Sequence, residues 1–381
     1  MADDALRILI LDGELTFRGS SLLALRIARG LEKRELEAAL VCTGSRDIEP
    51  GLLEGVRLHK IPGYPLPLWG RIVLQSMRHR LSEQPPDVIH LFDSRYLNQG
   101  VRLASALDCP LILTVSSHED AAFVRYRRRI PVVRAILSVS ESVRQSIPAS
   151  PLTDNVLHRV ILPGVQIPET PIDAILDDER PPVVGMAGPL EVSKGGAFFL
   201  RACHEVIRHG HQIRIVIAGS GPEEHNLRRL ATSLQISSEL TFVDGGVSMK
   251  GFLEAIDIFC MPSLQQGIGV VMLEAMALAR PVIASGVGGL LSVIHDHVDG
   301  MIVPPSNSHA LAVRIAGMLN DREGTRRIAL AGQSLVASRF SESRMLDELI
   351  GVYQSVLKTS SHKNSGSDEK SREFVSRQKS P

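Results

Sequence analysis

Short runs of apolar residues alternate along the whole chain with segments whose apolar positions recur every three or four residues. Short runs that are apolar throughout predict strands buried on both faces, and the amphipathic segments between them predict the helices that cover those faces. In the first half the predicted strands are 7–11, 38–42, 88–91, 111–115 and 135–139. A stretch rich in Pro, Asp and Thr follows, in which Pro148, Pro151, Pro163, Pro168, Pro171, Pro181 and Pro182 break any long element. The alternation then restarts with predicted strands at 183–187, 213–218, 240–243, 258–261, 281–284 and 301–303. The pattern predicts an α/β protein of two doubly wound parallel-sheet domains. Their expected bounds are 1–150 and 183–340, with a connection over 151–182, a closing helix over 341–357 and a disordered tail over 358–381, where Ser, Lys, Arg and Asn dominate.

A length of 381 residues is too great for one compact core and agrees with two domains. Lys plus Arg and Asp plus Glu number 42 each, so the formal charge is zero. That balance argues against a strongly basic nucleic-acid binder, and no nucleic-acid partner is expected. Residues 1–7 lead directly into the first strand without a basic, then apolar, leader, and no apolar run is long enough to span a bilayer, so the expected location is cytoplasmic. Cys42, Cys109, Cys203 and Cys260 are scattered and form no CxxC pair, which reads as reduced, packed thiols. No Asp-X-Asp pair or His/Asp/Glu cluster has metal-ligand spacing, so no metal is expected.

Ligands of open α/β sheets bind beyond the carboxyl ends of the strands, and the second domain has three loops with suitable chemistry there. After 183–187, the run from Gly188 to Gly196 brings Lys194 to a helix start, where its charge suits a diphosphate. After 213–218, Gly219-Ser220-Gly221-Pro222 forms a tight turn able to border a base. After 258–261 comes a loop containing Gln266, Gly267, Ile268, Gly269 and Val270, which enters a helix predicted over 270–279. Gly267 and Gly269 permit close backbone approach, and the N–H groups around Ile268 and Val270 suit a phosphate. Glu274 lies about one turn inside, in reach of hydroxyls on the same ligand. Each feature alone has an ordinary folding explanation. Their convergence on one domain points to a nucleotide with its ribose and phosphates.

These runs, with Leu273-Glu274-Ala275-Met276-Ala277, Pro281-Val282-Ile283-Ala284, Gly288-Gly289 and Asp299-Gly300, resemble the C-terminal domain of retaining GT-B glycosyltransferases of family 4 over 183–357. The resemblance implies two Rossmann-like domains facing each other across a cleft. It also implies metal-independent transfer, with retention, of a sugar from a nucleotide-diphosphate sugar held by the C-terminal domain to a glycan, lipid-linked or small-molecule acceptor bound mainly by the N-terminal domain. The donor is then a substrate, and no cofactor is implied. Lys194 would meet the phosphates, Glu274 the ribose and Gln266 the donor sugar. Phe17-Arg18-Gly19-Ser20-Ser21 resembles the loop that faces the diphosphate from the N-terminal domain and puts Gly19 at the cleft, although Ser20 or Ser21 equally fits a plain helix N-cap. His118 falls near the family's cleft histidine, with a surface role as the equal alternative, and Glu119 and Asp120 either orient a reacting group or solvate the loop. His90 reads as packed.

The chain departs from the family pattern at three places. Gln266 stands for the first of two glutamates, Pro189 for an arginine, and Pro163-Gly164-Val165-Gln166 for Asn-Gly-Val-Asp. These keep open a second reading, a catalytically impaired protein that binds a sugar nucleotide or glycan as a scaffold. An epimerase is poorly matched for want of acidic and histidine groups, and a nicotinamide dehydrogenase because the loop after the first strand lacks dinucleotide spacing. The apolar run from Tyr64 to Trp69, with Arg71, Arg78, His79 and Arg80, and the basic run from Phe123 to Arg129 suggest contact with an anionic membrane surface at its inner face. The competing reading is a packed Trp69 beside arginines that are a solvated face or bind an anionic acceptor.

Overall fold

The computed structural model describes residues 6–16, 19–46, 48, 50–62, 75–79, 81–124, 130–154, 156–168, 175–177, 179–243, 248–265 and 267–377, with side chains as far as 359 except at Gly19 and Pro50. The chain divides into two units, Met1–Leu162 with Met345–Pro381, and Pro163–Arg344.

Unit 1 contains strands β1 (Arg7–Leu11), β2 (Glu14–Leu15), β3 (Glu37–Cys42), β4 (Gly44–Ser45), β5 (Arg57–Lys60), β6 (Val88–Leu91), β7 (Leu111–Val115), β8 (Val133–Ser138) and β9 (Leu157–Val160). Seven of them form one sheet in the order β5-β3-β1-β6-β7-β8-β9, parallel throughout, while β2 and β4 pair separately. The inner strands are buried on both faces, so their residues alternate between two cores. Ile8, Ile10, Leu40 and Ile112 face one core, and Leu9, Leu11, Ile89, Leu91, Leu111 and Leu113 the other.

The first of these cores is covered by the C-terminal helix Glu342–Arg377 through Met345, Leu346, Leu349, Val352, Tyr353 and Val356. Their three- and four-residue spacing makes one apolar stripe. The closing helix expected over 341–357 is therefore part of unit 1. Its backbone also runs helical to Arg377, past the point where a disordered tail is expected, and no proline interrupts residues 358–377. The expected connection over 151–182 is divided between the units. Its early part contains β9, because Pro148, Pro151 and Pro163 flank the strand without entering it.

Unit 2 contains β10 (Val183–Ala187), β11 (Arg214–Ala218), β12 (Leu240–Val243), β13 (Ile258–Met261), β14 (Val282–Ser285) and β15 (Met301–Val303). They form a six-stranded parallel sheet in the order β12-β11-β10-β13-β14-β15. Val184, Met186, Ile215, Ile217, Ile258 and Cys260 share a core with Phe199, Leu200 and Cys203 of the helix Gly196–Arg208. Asp257 fixes the entry to β10. Fully buried, it accepts the N–H groups of Leu176 and Val183, each at 2.8 Å, and a guanidinium bond from Arg180 at 2.6 Å. Among the described residues no helix is long and apolar enough to cross a membrane.

Candidate functional site

In unit 2 the chain starts in the middle of the sheet, builds outward through β11 and β12, and returns to place β13 on the other side of β10. The carboxyl ends of β10 and β13 thus flank a topological switch point, where loops diverge and leave a crevice. The loops that leave these two strands are the ones that carry Lys194 and the Gly267–Gly269 turn.

The β10 loop is laced to its neighbour. Gly188 N–H donates to Ala218 O at 3.0 Å, Leu190 N–H to Ser220 O at 2.8 Å, and Glu223 N–H to Leu190 O at 2.9 Å. A Cβ on Gly219 would stand 2.0 Å from Gly188 O, and one on Gly221 2.5 Å from Leu190 O. Gly219 and Gly221 are therefore glycines because two backbones meet there. Gly188 differs: its φ is 137°, yet no atom lies within 4 Å of an added Cβ. Its backbone faces open space at the end of the central strand.

Lys194 ends a 3-10 turn, Val192–Lys194, and is half-buried. Gly195 follows in the left-handed region at φ 74° and opens the helix Gly196–Arg208. A Cβ there would lie 2.0 Å from Pro262 O, and Leu264 N–H donates to Ser193 O at 2.8 Å. These contacts join the Lys194 loop to the β13 loop. Gly195, which the sequence presents as part of a simple lysine-glycine turn, is the residue that lets the two loops touch.

The second loop enters the helix Val270–Ala277, two residues shorter than the predicted 270–279. Its N-cap is Gly269 at φ 78°, which supplies no side-chain cap to the first turn. Such a terminus presents N–H groups and the positive end of the helix dipole to an anion. Ile268 is buried and anchors the loop, Val270 is half-buried, and Gly267 is exposed with no atom within 4 Å of an added Cβ. Gly289 braces the turn from behind, since its Cβ would meet the Gly267 carbonyl carbon at 3.0 Å. Glu274 is half-buried one turn in, on the same helix face as Val270. Gln266 lies outside the described residues. The expected residues Gly188, Lys194, Gly219, Gly221, Gly267, Ile268, Gly269, Val270 and Glu274 are thus all on or beside loops at the carboxyl edge of one sheet.

Gly19 and His118 belong to unit 1. Gly19 is the first residue of the helix Gly19–Glu32, so Ser20 and Ser21 sit inside its first turn and not at the N-cap position. Phe17 and Arg18 lie outside the described residues, as do the segments 63–74 and 125–129 that contain Trp69 and the arginine run. His118 is exposed at the start of the helix His118–Val124, and its Nε2 is 3.5 Å from Ser142 Oγ. Asp120 is far more constrained. It accepts Ser94 Oγ at 3.0 Å, Ser116 Oγ at 2.6 Å and Ser117 Oγ at 3.0 Å. His90 is fully buried between Tyr353 Oη at 2.8 Å and Thr114 Oγ1 at 2.7 Å, and burial lowers its pKa to about 3. It is a neutral, packed histidine. Among the described residues no group of three or more His, Cys, Asp or Glu is arranged to hold a metal ion.

Comparison with known proteins agrees with this arrangement. Residues 181–321 match the family described as glycosyl transferases group 1, and residues 18–149 match the glycosyl transferase 4-like domain. The alpha-D-kanosaminyltransferase of Streptomyces kanamyceticus is 30% identical over 185 residues, covering 48% of this chain and 47% of that protein, so the chain spans about half the length of this relative. An uncharacterized glycosyltransferase, MJ1607 of Methanocaldococcus jannaschii, is 24% identical over 361 residues, 86% of this chain and 92% of the relative. Among solved structures, Anabaena HepE in complex with UDP-glucose superposes with a TM-score of 0.76 at 20% identity over 91% of this chain and 99% of that one. With both units matched and the doubly wound sheets in place, the chain belongs to the group 1 glycosyltransferases of the GT-B fold.

Proposed function

We propose that the chain transfers a sugar from a nucleotide-diphosphate sugar to an acceptor hydroxyl, with retention of configuration and without a metal ion. The observation that carries this reading is the unit 2 switch point. There Gly188 and Gly267 leave space at the strand ends, Lys194 brings a cation, and an uncapped helix start is followed one turn later by Glu274. In this reading the helix N–H groups and Lys194 stabilise the diphosphate as charge develops on it, and Glu274 accepts from the ribose hydroxyls. The binding of UDP-glucose by HepE, which shares the fold, supports a uridine nucleotide as the first donor to test.

Thermal-shift measurement with UDP-, GDP- and ADP-sugars selects the donor, since a ligand at a hundred times its Kd stabilises by about 2.7 kcal/mol. Lys194→Ala and Glu274→Ala are each expected to weaken donor binding or transfer by about 1.5–3 kcal/mol. Wild-type donor affinity and rate in either variant would remove that residue from the site. NMR of the product anomer tests retention, and activity in excess chelator tests metal independence.

A scaffold that binds without turnover is the second reading, favoured by Gln266 and Pro189. Gln266→Glu discriminates: a rise in rate of several decades would mark the natural chain as impaired, whereas little change would mean that hydrogen bonding suffices at this position.

A further inference from the structure

The helix Val270–Ala277 carries both the uncapped start and Glu274, and it is only 8 residues long. How its far end is held therefore bears on both. In a continuing helix the carbonyl of Ala277 would accept from the N–H of residue 281, but that residue is Pro281, which has none. Ala277 is buried, so its carbonyl needs a partner from the protein.

The other carbonyls of the last turn are met locally. Leu278 N–H donates to Glu274 O at 3.1 Å, Ala279 N–H to Met276 O at 2.9 Å and Arg280 N–H to Ala275 O at 2.9 Å. The last two bonds form a Schellman stop, made here with Ala279 at φ 49°, in the left-handed region where glycine is the usual residue. A strained stop of this kind persists only where its surroundings hold it.

The helix Arg322–Arg339 supplies those surroundings. Its buried positions Thr325, Ala329, Gly332 and Val336 recur every three or four residues and make one packed face. At Gly332 a Cβ would stand 2.7 Å from Asp299 O and 3.3 Å from Met276 Cε, so this helix lies close against the short one. Next to it Gln333, half-buried, donates from Nε2 to Ala277 O at 2.9 Å. The bond reaches across 56 residues of chain to the carbonyl that Pro281 leaves without its helical donor.

We propose that Gln333 is a positioning residue for the unit 2 site. By holding the Ala277 carbonyl it fixes the end of the short helix, and with it the direction in which Glu274, just under one turn earlier, presents its carboxylate. The Glu274 carbonyl is itself bonded within this last turn, so a shift there is carried directly to the Glu274 backbone. Gln333 itself need touch no ligand. The inference rests on the transferase reading for what Glu274 meets, while the clamp is a property of the free protein.

Amide hydrogen exchange and UDP calorimetry on the full chain test it, well below the melting temperature of every variant used. Gln333→Met keeps the length and removes the donor; exchange over residues 270–280 in the ligand-free protein is expected to quicken about tenfold, and UDP binding to weaken about tenfold. Gln333→Lys, which returns an N–H donor to a helix C-terminus, is expected to recover most of both. In a Glu274→Ala background the same Gln333→Met change is expected to alter UDP affinity about twofold or less, because the side chain it positions has gone. Unchanged exchange or wild-type UDP affinity in Gln333→Met, no recovery in Gln333→Lys, or the full loss in the Glu274→Ala background would overturn the proposal. Where Gln333→Met does not fold, Gln333→Glu, which keeps the shape and turns an acceptor toward the carbonyl, takes its place with the same expectations. A wild-type chain that binds no UDP counts against the transferase reading, whereas the exchange measurement judges the clamp without any nucleotide.

Discussion

The two switch points have the same topology and opposite contents. Each lies beside a central first strand, β1 or β10, where the order of the sheet reverses. In unit 2 the strand ends carry glycines with open space, a lysine and an uncapped helix start, all suited to a polyanion. In unit 1 the described residues of the equivalent loop are close-packed, Gly13 lying against Asp93 and Tyr96, and they include the carboxyls of Asp12 and Glu14. The fold thus supplies a place where loops diverge, and the loop residues decide whether it stays open or is filled. Family membership fixes the first and leaves the second to particular side chains.

The largest expected effect separates packed from open glycines in unit 2. Gly195→Ala places a Cβ against Pro262 O at a left-handed φ, and the strain and overlap together should destabilise unit 2 by roughly 2–5 kcal/mol. Gly267→Ala meets no atom within 4 Å and should change stability by no more than about 0.5 kcal/mol while weakening nucleotide binding. Urea unfolding beside nucleotide titration reads both. Equal destabilisation by the two variants would break the distinction between glycines needed for folding and glycines needed for a ligand.

A somewhat smaller effect concerns Asp12, whose carboxyl rises from 3.8 to about 7 on folding because it is buried. The folded state then holds this proton more tightly than the unfolded chain does. The contribution to stability is fully present below about pH 4 and is lost as the pH rises through about 7. Across that window Asp12 should cost the wild-type protein on the order of 2–4 kcal/mol, and Asp12→Asn should flatten this part of the profile. Denaturant midpoints at a series of pH values measure the slope, and identical slopes in the two proteins would refute the assignment.

The smallest effect is expected at the C-terminal helix. Tyr353→Phe leaves His90 Nδ1 without its partner in the core of unit 1, at a cost of about 1–2 kcal/mol and with no change in nucleotide binding by unit 2. A change in nucleotide affinity would show that the two units are coupled through this helix.

Much of this architecture was legible from hydrophobic periodicity, though unevenly. The inner strands announce themselves because both faces are buried, as in Ile8-Leu9-Ile10-Leu11 and Leu111-Ile112-Leu113. The edge strand β5, Arg57-Leu58-His59-Lys60, has mostly exposed residues and so carries no apolar signature. β9 is hidden by the prolines around it. The glycine loops of unit 2 were visible because glycine before a helix, following an apolar strand, is a local signal. Asp12 was not, since an aspartate after a strand reads as solvated until Asp93 and Tyr96 arrive from a distant loop.

The sequence by itself determined the inner strands of both sheets, which loops end at their carboxyl edges, and the family to which those loops belong. Only the tertiary structure decided that the C-terminal helix completes the first unit, that Gly195 joins two loops while Gly267 stays open, and that Asp12 is buried. The reason is physical. Burial periodicity is imprinted residue by residue along the chain, whereas hydrogen-bond satisfaction and close backbone approach depend on partners that lie far away in sequence, such as Pro262 for Gly195 and Asp93 for Gly13.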